Sequence, residues 1–231
     1  MITGGWVKIC GVRSPRDLEV ALSSSPDAIG FICGVTHESE DALTVAEAIE
    51  LSRQARLCFP EIGRVLVTHL EDAEAILALA AAMDAEIVQI HGLVSIQTVK
   101  DVYDRAPDRL IIVRAVHVDG PESVHRAIEV APYCDWVLLD TRTSNRLGGT
   151  GETHDWTISR QIVQRLAGTP VILAGGLTAN NVCEAISAVN PFGVDVNTGV
   201  DDACGDKSGV ETRAFTRLVT MRFIPGEHDQ A

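Results

Sequence analysis

Basic residues are scarce in this chain. Lys and Arg number 19 against 32 Asp and Glu, a net charge of −13. That deficit disfavours nucleic acid and anionic membranes as partners, because a phosphate surface is held by Lys and Arg. The acids are scattered through helix-like segments rather than gathered in a tail, so they read as a solvated surface. No apolar run approaches the length of a membrane span, and the first residues lack a charged-then-apolar leader pattern. The six cysteines (Cys10, Cys33, Cys58, Cys134, Cys183, Cys204) contain no Cys-x-x-Cys pair. These absences predict a soluble, cytoplasmic protein with reduced thiols. Linkers and low-complexity segments are lacking too, so residues 1–231 read as a single domain with a frayed tail, Pro225–Ala231.

What is present is a strict alternation. Eight short apolar runs rich in Val, Ile and Leu read as strands: Val7–Cys10, Ala28–Cys33, Arg64–His69, Ile87–His91, Leu110–Val116, Trp136–Asp140, Val171–Ala174 and Val194–Asn197. Longer helix-like segments separate them. Ser14-Pro15 places a capping serine before a proline at the first helical position. Thr44-Val-Ala-Glu47 is a capping box. Further helices are expected over Glu71–Met83, Ser95–Tyr103, Pro121–Ala131, Thr157–Leu166, Ala179–Val189 and Glu211–Phe223. Eight βα units in this length predict an α/β fold, the (β/α)8 TIM barrel, with an open doubly wound sheet as the alternative.

In such a barrel the chemistry sits where strands end. Alternation along Val7-Lys8-Ile9-Cys10 turns Lys8 and Cys10 to the barrel interior. There Cys10 is a candidate base or nucleophile, with the Lys8 ammonium expected to lower the thiol's pKa; a small buried hydrophobe is the plainer reading. Asp140 ends the sixth run and shares its face with Leu138. Desolvation is expected to raise its pKa and make it a proton donor, unless it only caps the next loop. Gly148-Gly149-Thr150-Gly151, Gly175-Gly176 and Asn197-Thr198-Gly199 follow strands six, seven and eight. Backbone amides in such loops can hold a phosphate without cations. His69, His91 and His117 stand near three successive strand ends, with His37 in the loop before them. Three histidines could bind Zn²⁺ or Fe²⁺ beside Asp41 and Asp140, but they also serve as neutral hydrogen-bonding contacts, and no metal is assigned.

Lys8-Ile-Cys-Gly11, Gln89-Ile-His-Gly92, Leu139-Asp-Thr141, Gly148-Gly-Thr-Gly151 with Asp155-Trp156, Leu173-Ala-Gly-Gly-Leu177 and Gly193-Val-Asp-Val-Asn-Thr-Gly199 together resemble the phosphoribosylanthranilate isomerase family, in order and over nearly the whole chain. The resemblance implies a cofactor-free Amadori rearrangement of a phosphoribosylamine in tryptophan biosynthesis, by a monomer or homodimer. It implies Asp140 as general acid on the furanose oxygen and Cys10 as general base at C2′. It places the phosphate on Gly149, Thr150, Gly151, Gly175, Gly176, Thr198 and Gly199. Lys8, His37, His69, His91, Arg114, Arg142, Asp195 and Asn197 are the expected substrate contacts.

One departure bears on the substrate. The family reads Pro-Lys-Ser-x-Arg after the second strand, and that arginine is expected to grip the anthranilate carboxylate. This chain reads Gly34-Val-Thr-His-Glu-Ser-Glu-Asp41, with no arginine and three acids. Arg13, Arg114, Arg142 or Arg146 would have to substitute, or the amine is not anthranilate. A metal-assisted sugar-phosphate epimerase or aldolase using the rim histidines is the alternative from a different catalytic class.

Overall fold

The computed structural model describes residues 5–36, 39–143, 146–147 and 153–223. Its barrel strands are β1 Trp6–Ile9, β2 Ala28–Cys33, β3 Gly63–Thr68, β4 Ile87–Ile90, β5 Ile111–Val118, β6 Trp136–Thr143, β7 Val171–Leu173 and β8 Gly193–Val196. Each pairs in parallel with the next, and β8 returns to β1, so the sheet closes into a barrel. Around it run α1 Pro15–Ser23, α2 Val45–Cys58, α3 Ala73–Met83, α4 Ile96–Arg105, α5 Glu122–Val130, α6 Trp156–Arg165, α7 Val182–Val189 and α8 Gly209–Phe223. The open sheet is thereby excluded.

Helix starts follow their caps. Ser14 accepts from Asp17 N ahead of Pro15, and Thr44 and Glu47 bond reciprocally. Asp72 caps α3 by accepting from Ala75 N, so that helix begins at Ala73 rather than Glu71, because the residue whose side chain satisfies an orphan N–H group sets the boundary. β5 and β6 run past their expected ends. β6 continues because it turns back on Arg146–Leu147 in a short antiparallel pair.

Two shells of core result from strand alternation. Cys10, Ala28, Val65, Val67, Ile87, Val113, Ala115, Leu138, Ile172 and Ala174 fill the barrel interior. Val7, Ile9, Val88, Ile90, Val194 and Val196 belong to the outer shell, which includes the buried helix faces. Trp6, Trp136 and Phe192 pack at the strand starts, with ring centroids 5.3, 5.5 and 6.4 Å apart, and give that end an apolar floor. Gly30 keeps the interior open next to β1. A Cβ there would lie 2.7 Å from Lys8 Cε and 2.9 Å from Cys10 Sγ. Only a glycine leaves space for both side chains.

Candidate active site

The same alternation that buries the inner shell also carries polar side chains inward toward the strand ends. Val88 and Ile90 face the helices, so Gln89 and His91 face the interior. Val113 and Ala115 face inward, and His117 continues their side of β5. Leu138 leads to Asp140 on β6 in the same way, and His117 and Asp140 are register partners. Asp195 on β8 pairs in register with Lys8 on β1. Lys8, Gln89, Asp140 and Asp195 are all buried.

These side chains form a chain of bonds across the barrel. Lys8 Nζ donates to Asp195 Oδ2 and to Gln89 Oε1, each at 2.7 Å. Gln89 Nε2 lies 3.0 Å from His91 Nδ1. His91 Nε2 lies 3.2 Å from Asp140 Oδ2, and Thr141 N donates to Asp140 Oδ1 at 2.8 Å. His69 stacks on His91 with the rings 12° from parallel, and His117 meets His91 edge-on at 5.2 Å.

The electrostatics differ from the sequence expectation at both reacting groups. Burial pushes the Cys10 thiol up to about 11, and the Lys8 ammonium offsets only part of that. Cys10 is buried, and the cost of desolvating a thiolate there exceeds the attraction of the neighbouring ammonium. Asp140 moves the other way. Burial would raise it, but the bond from His91, the charges of His91 and His117 and the Thr141 N–H together hold its carboxyl below the ordinary 3.8. In the Lys8–Asp195 pair burial opposes both charges. Asp195 and Cys10 outweigh it at Lys8, whose pKa rises, whereas at Asp195 burial wins and that carboxyl also rises. The 2.7 Å bond argues for the ionised pair, because a buried ammonium needs a counter-charge.

Beyond β7, Gly175 and Gly176 adopt φ of 84° and 66°, the left-handed region that favours glycine. None of the described residues accepts from their N–H groups. Gly199 lies in the short 3-10 turn Thr198–Val200 after β8, where a Cβ would fall 1.8 Å from Leu177 O. The loops after β7 and β8 are therefore in direct backbone contact.

Several expected contacts take other positions. Arg114 sits between inward Val113 and Ala115 and so faces the helices. Its guanidinium donates to the carbonyls of Ile90 and Gly92 rather than into the barrel interior. Asn197 has both ends of its amide occupied, by Asp41 Oδ2 at 2.9 Å and Lys207 Nζ at 2.8 Å, so it clamps loops together. Arg13 lies at the rim with Thr198 and Asp201, held by Gly205 O and facing Asp41 and Asp206. His37, Gly149, Thr150, Gly151 and the side chain of Arg142 lie outside the described residues. His91, His117 and Asp140 bring donor atoms within 4.8 Å of one another, a spacing compatible with a transition metal. Sequence reasoning passed over Gln89 as a site residue. A polar side chain on the inward phase of an otherwise apolar strand was the available signal.

Fold and interior together define a (β/α)8-barrel enzyme with a thiol and a carboxyl facing inward from β1 and β6. Residues 7–217 match the family model "N-(5'phosphoribosyl)anthranilate (PRA) isomerase". An N-(5'-phosphoribosyl)anthranilate isomerase 2 of Methanosarcina mazei is 37% identical, covering 94% of this chain and 95% of that protein. The isomerase of Haloferax volcanii is 36% identical over 97% of each. The crystal structure of phosphoribosyl anthranilate isomerase from Thermotoga maritima superposes with a TM-score of 0.81 at 29% identity, over 94% of this chain and 98% of that one. The chain belongs to the N-(5'-phosphoribosyl)anthranilate isomerase family. No described helix is long and apolar enough to cross a membrane.

Proposed function

We propose that the protein isomerises N-(5'-phosphoribosyl)anthranilate to 1-(2-carboxyphenylamino)-1-deoxyribulose 5-phosphate, an aldose–ketose rearrangement serving tryptophan biosynthesis. The relatives' names support the substrate, and a solved family structure holds the reduced form of this product. The observation that carries the reading is the inward placement of Cys10 and Asp140 at the end of β1 and on β6, with Asp140 linked through His91 and Gln89 to Lys8, whose ammonium neighbours the thiol. Asp140 gives a proton to the furanose ring oxygen as the C1′–O bond breaks, and the nitrogen lone pair forms a Schiff-base iminium. The iminium acidifies the C2′ hydrogen. Cys10 removes it as thiolate, and the electron pair moves to C1′–C2′, giving an enolamine. The enolamine then takes a proton at C1′ and becomes the ketone. No redox partner is needed, because C1′ is reduced as C2′ is oxidised. The cationic iminium also favours the thiolate, which in the resting site is opposed by burial.

The phosphate is held by the N–H groups of Gly175 and Gly176, which have no acceptor among the described residues, with the adjoining turn at Thr198 and Gly199, since backbone amides bind oxyanions without cations. A second reading, with a different amine, is favoured by one observation. Arg114 faces the helices and Arg13 is surrounded by Asp17, Asp41 and Asp206, so among the described residues neither offers a free cation for the anthranilate carboxylate. The test is turnover of N-(5'-phosphoribosyl)anthranilate by the purified protein, with growth of a tryptophan auxotroph lacking this isomerase as the second arm. Cys10→Ser and Asp140→Asn are each expected to cut turnover by about 10² or more. Near-normal turnover in both variants would remove the assigned roles. A well-folded protein without turnover of this substrate would favour the other amine.

A further inference from the structure

We propose that Gln89 is a positioning residue, pinned by Lys8, that fixes His91 as its Nε2–H tautomer and so directs the acid's proton to Asp140. The argument starts from donor counting. Lysine has three N–H donors and no acceptor. The Gln89 atom 2.7 Å from Lys8 Nζ must therefore be the carbonyl oxygen. That leaves the amide nitrogen facing His91 Nδ1 at 3.0 Å. An NH2 group donates, so Nδ1 carries a lone pair. A neutral imidazole with a bare Nδ1 holds its hydrogen on Nε2, the atom 3.2 Å from Asp140 Oδ2. A proton placed on Nδ1 would set two donors against each other. The parallel stack on His69 restrains the ring from turning away.

This assignment determines where a proton can reside. His91 Nε2–H donates to Asp140 and accepts nothing there, so a proton taken up by the pair goes to the carboxyl. The acid and the group supporting it are thus kept distinct, although they are in hydrogen-bond contact. The tautomer also bears on the His91, His117 and Asp140 cluster. A metal needs a bare ring nitrogen, and the nitrogen aimed at the cluster carries the hydrogen. The fixed tautomer therefore works against metal capture at the acid. The charged and titratable groups around the pair are Lys8 and Asp195 behind Gln89, His69 and His117 on the His91 ring, and His154, which feels the charge of Asp140.

The tautomer is independent of the substrate assigned above; only the kinetic arm of the test rests on that reading. Long-range ¹H–¹⁵N NMR of the full ¹⁵N-labelled chain reads it directly, with His91 assigned from its loss in His91→Gln. The expected wild-type signature at neutral pH is Nε2 protonated and Nδ1 bare. Gln89→Glu keeps an acceptor for Lys8 but turns the second oxygen toward Nδ1. His91 should then show a protonated Nδ1. With its hydrogen on Nδ1, neutral His91 would present a bare Nε2, so Zn²⁺ alone, titrated calorimetrically, should bind tenfold or more tighter than to wild type. Turnover should fall about tenfold or more with KM changed less than about threefold, because the proton is moved while the pocket is kept. A wild-type His91 that is Nδ1-protonated at neutral pH overturns the proposal, whether or not the variant folds. So does a Gln89→Glu protein whose His91 signature is unchanged, or one with a switched His91 and full turnover.

Discussion

Turnover should be nearly independent of pH between 7 and 9.5, although it depends on two titrating groups. At rest Cys10 is a thiol, pushed to about 11 by burial, and Asp140 is a carboxylate held below 3.8. The proposed chemistry needs the reverse, a thiolate and a protonated carboxyl. Reaching it moves one proton from Cys10 to Asp140 with no net exchange with solvent, so its cost does not change with pH between the two values. The transfer runs uphill, because burial raises the thiol while the bonds from His91 and Thr141 favour the carboxylate. Lys8 then has a measurable role. Removing an adjacent charge moves a pKa by about 1–3 units, so Lys8→Met should lower kcat by about 10- to 10³-fold while leaving the profile flat. The assay is kcat/KM against pH above the substrate phosphate's second ionisation near pH 6. Flatness within about threefold is expected. A unit-slope rise toward alkaline pH, or a bell with both limbs inside this range, would refute the reversed protonation order and with it the assigned resting states.

Gly199→Ala should separate the loops after β7 and β8, because the added methyl would lie 1.8 Å from Leu177 O. Inhibition by inorganic phosphate should weaken about tenfold with a lower Tm; unchanged phosphate affinity would detach the anion from these loops. Lys207→Met should destabilise the protein by about 1–3 kcal/mol in urea unfolding at pH 7, since the partly buried Asp201 carboxylate loses its donor. Lys207 Nζ is the ammonium that meets Asp201 at 2.6 Å and Asn197 at 2.8 Å. Burial raises the Asp201 pKa, so protonation relieves the unpaired charge, and the variant's deficit should shrink as pH falls through that raised value. A deficit that grows toward acid would contradict the pairing.

The barrel was legible because a strand buried on both faces has to be apolar along its length, and eight such runs alternate with capped helices. The inward phase of Cys10 was also legible, since Val7 and Ile9 are apolar on the other side of a strand whose polar positions are Lys8 and Cys10. Arg114 shows where that logic needs more context. Its position in an apolar strand suggested a functional cation, but its phase puts it among the helices, and only the carbonyls of Ile90 and Gly92 explain an arginine there. The pKa directions at Cys10 and Asp140 were not legible, because each depends on groups from strands remote in sequence. Cys10 is raised by burial that the other strands supply, and Asp140 is lowered by His91 and His117 from β4 and β5.

The support for the thiol is spread far along the chain. Lys8 finds its counter-ion 187 residues later, in Asp195, and its second acceptor 81 residues later, in Gln89. β1 pairs with β8 over four residues but with β2 over only two. During synthesis the base is therefore among the first groups made and among the last to be completed. Until Asp195 arrives, Lys8 has no carboxylate to accompany it into the interior, and burying it alone would be strongly unfavourable. An intermediate lacking β8 would leave this strand wet, with its thiol in an ordinary aqueous environment and open to oxidants. Closing the last seam is thus also the step that protects Cys10 and gives it the resting state from which the reaction begins.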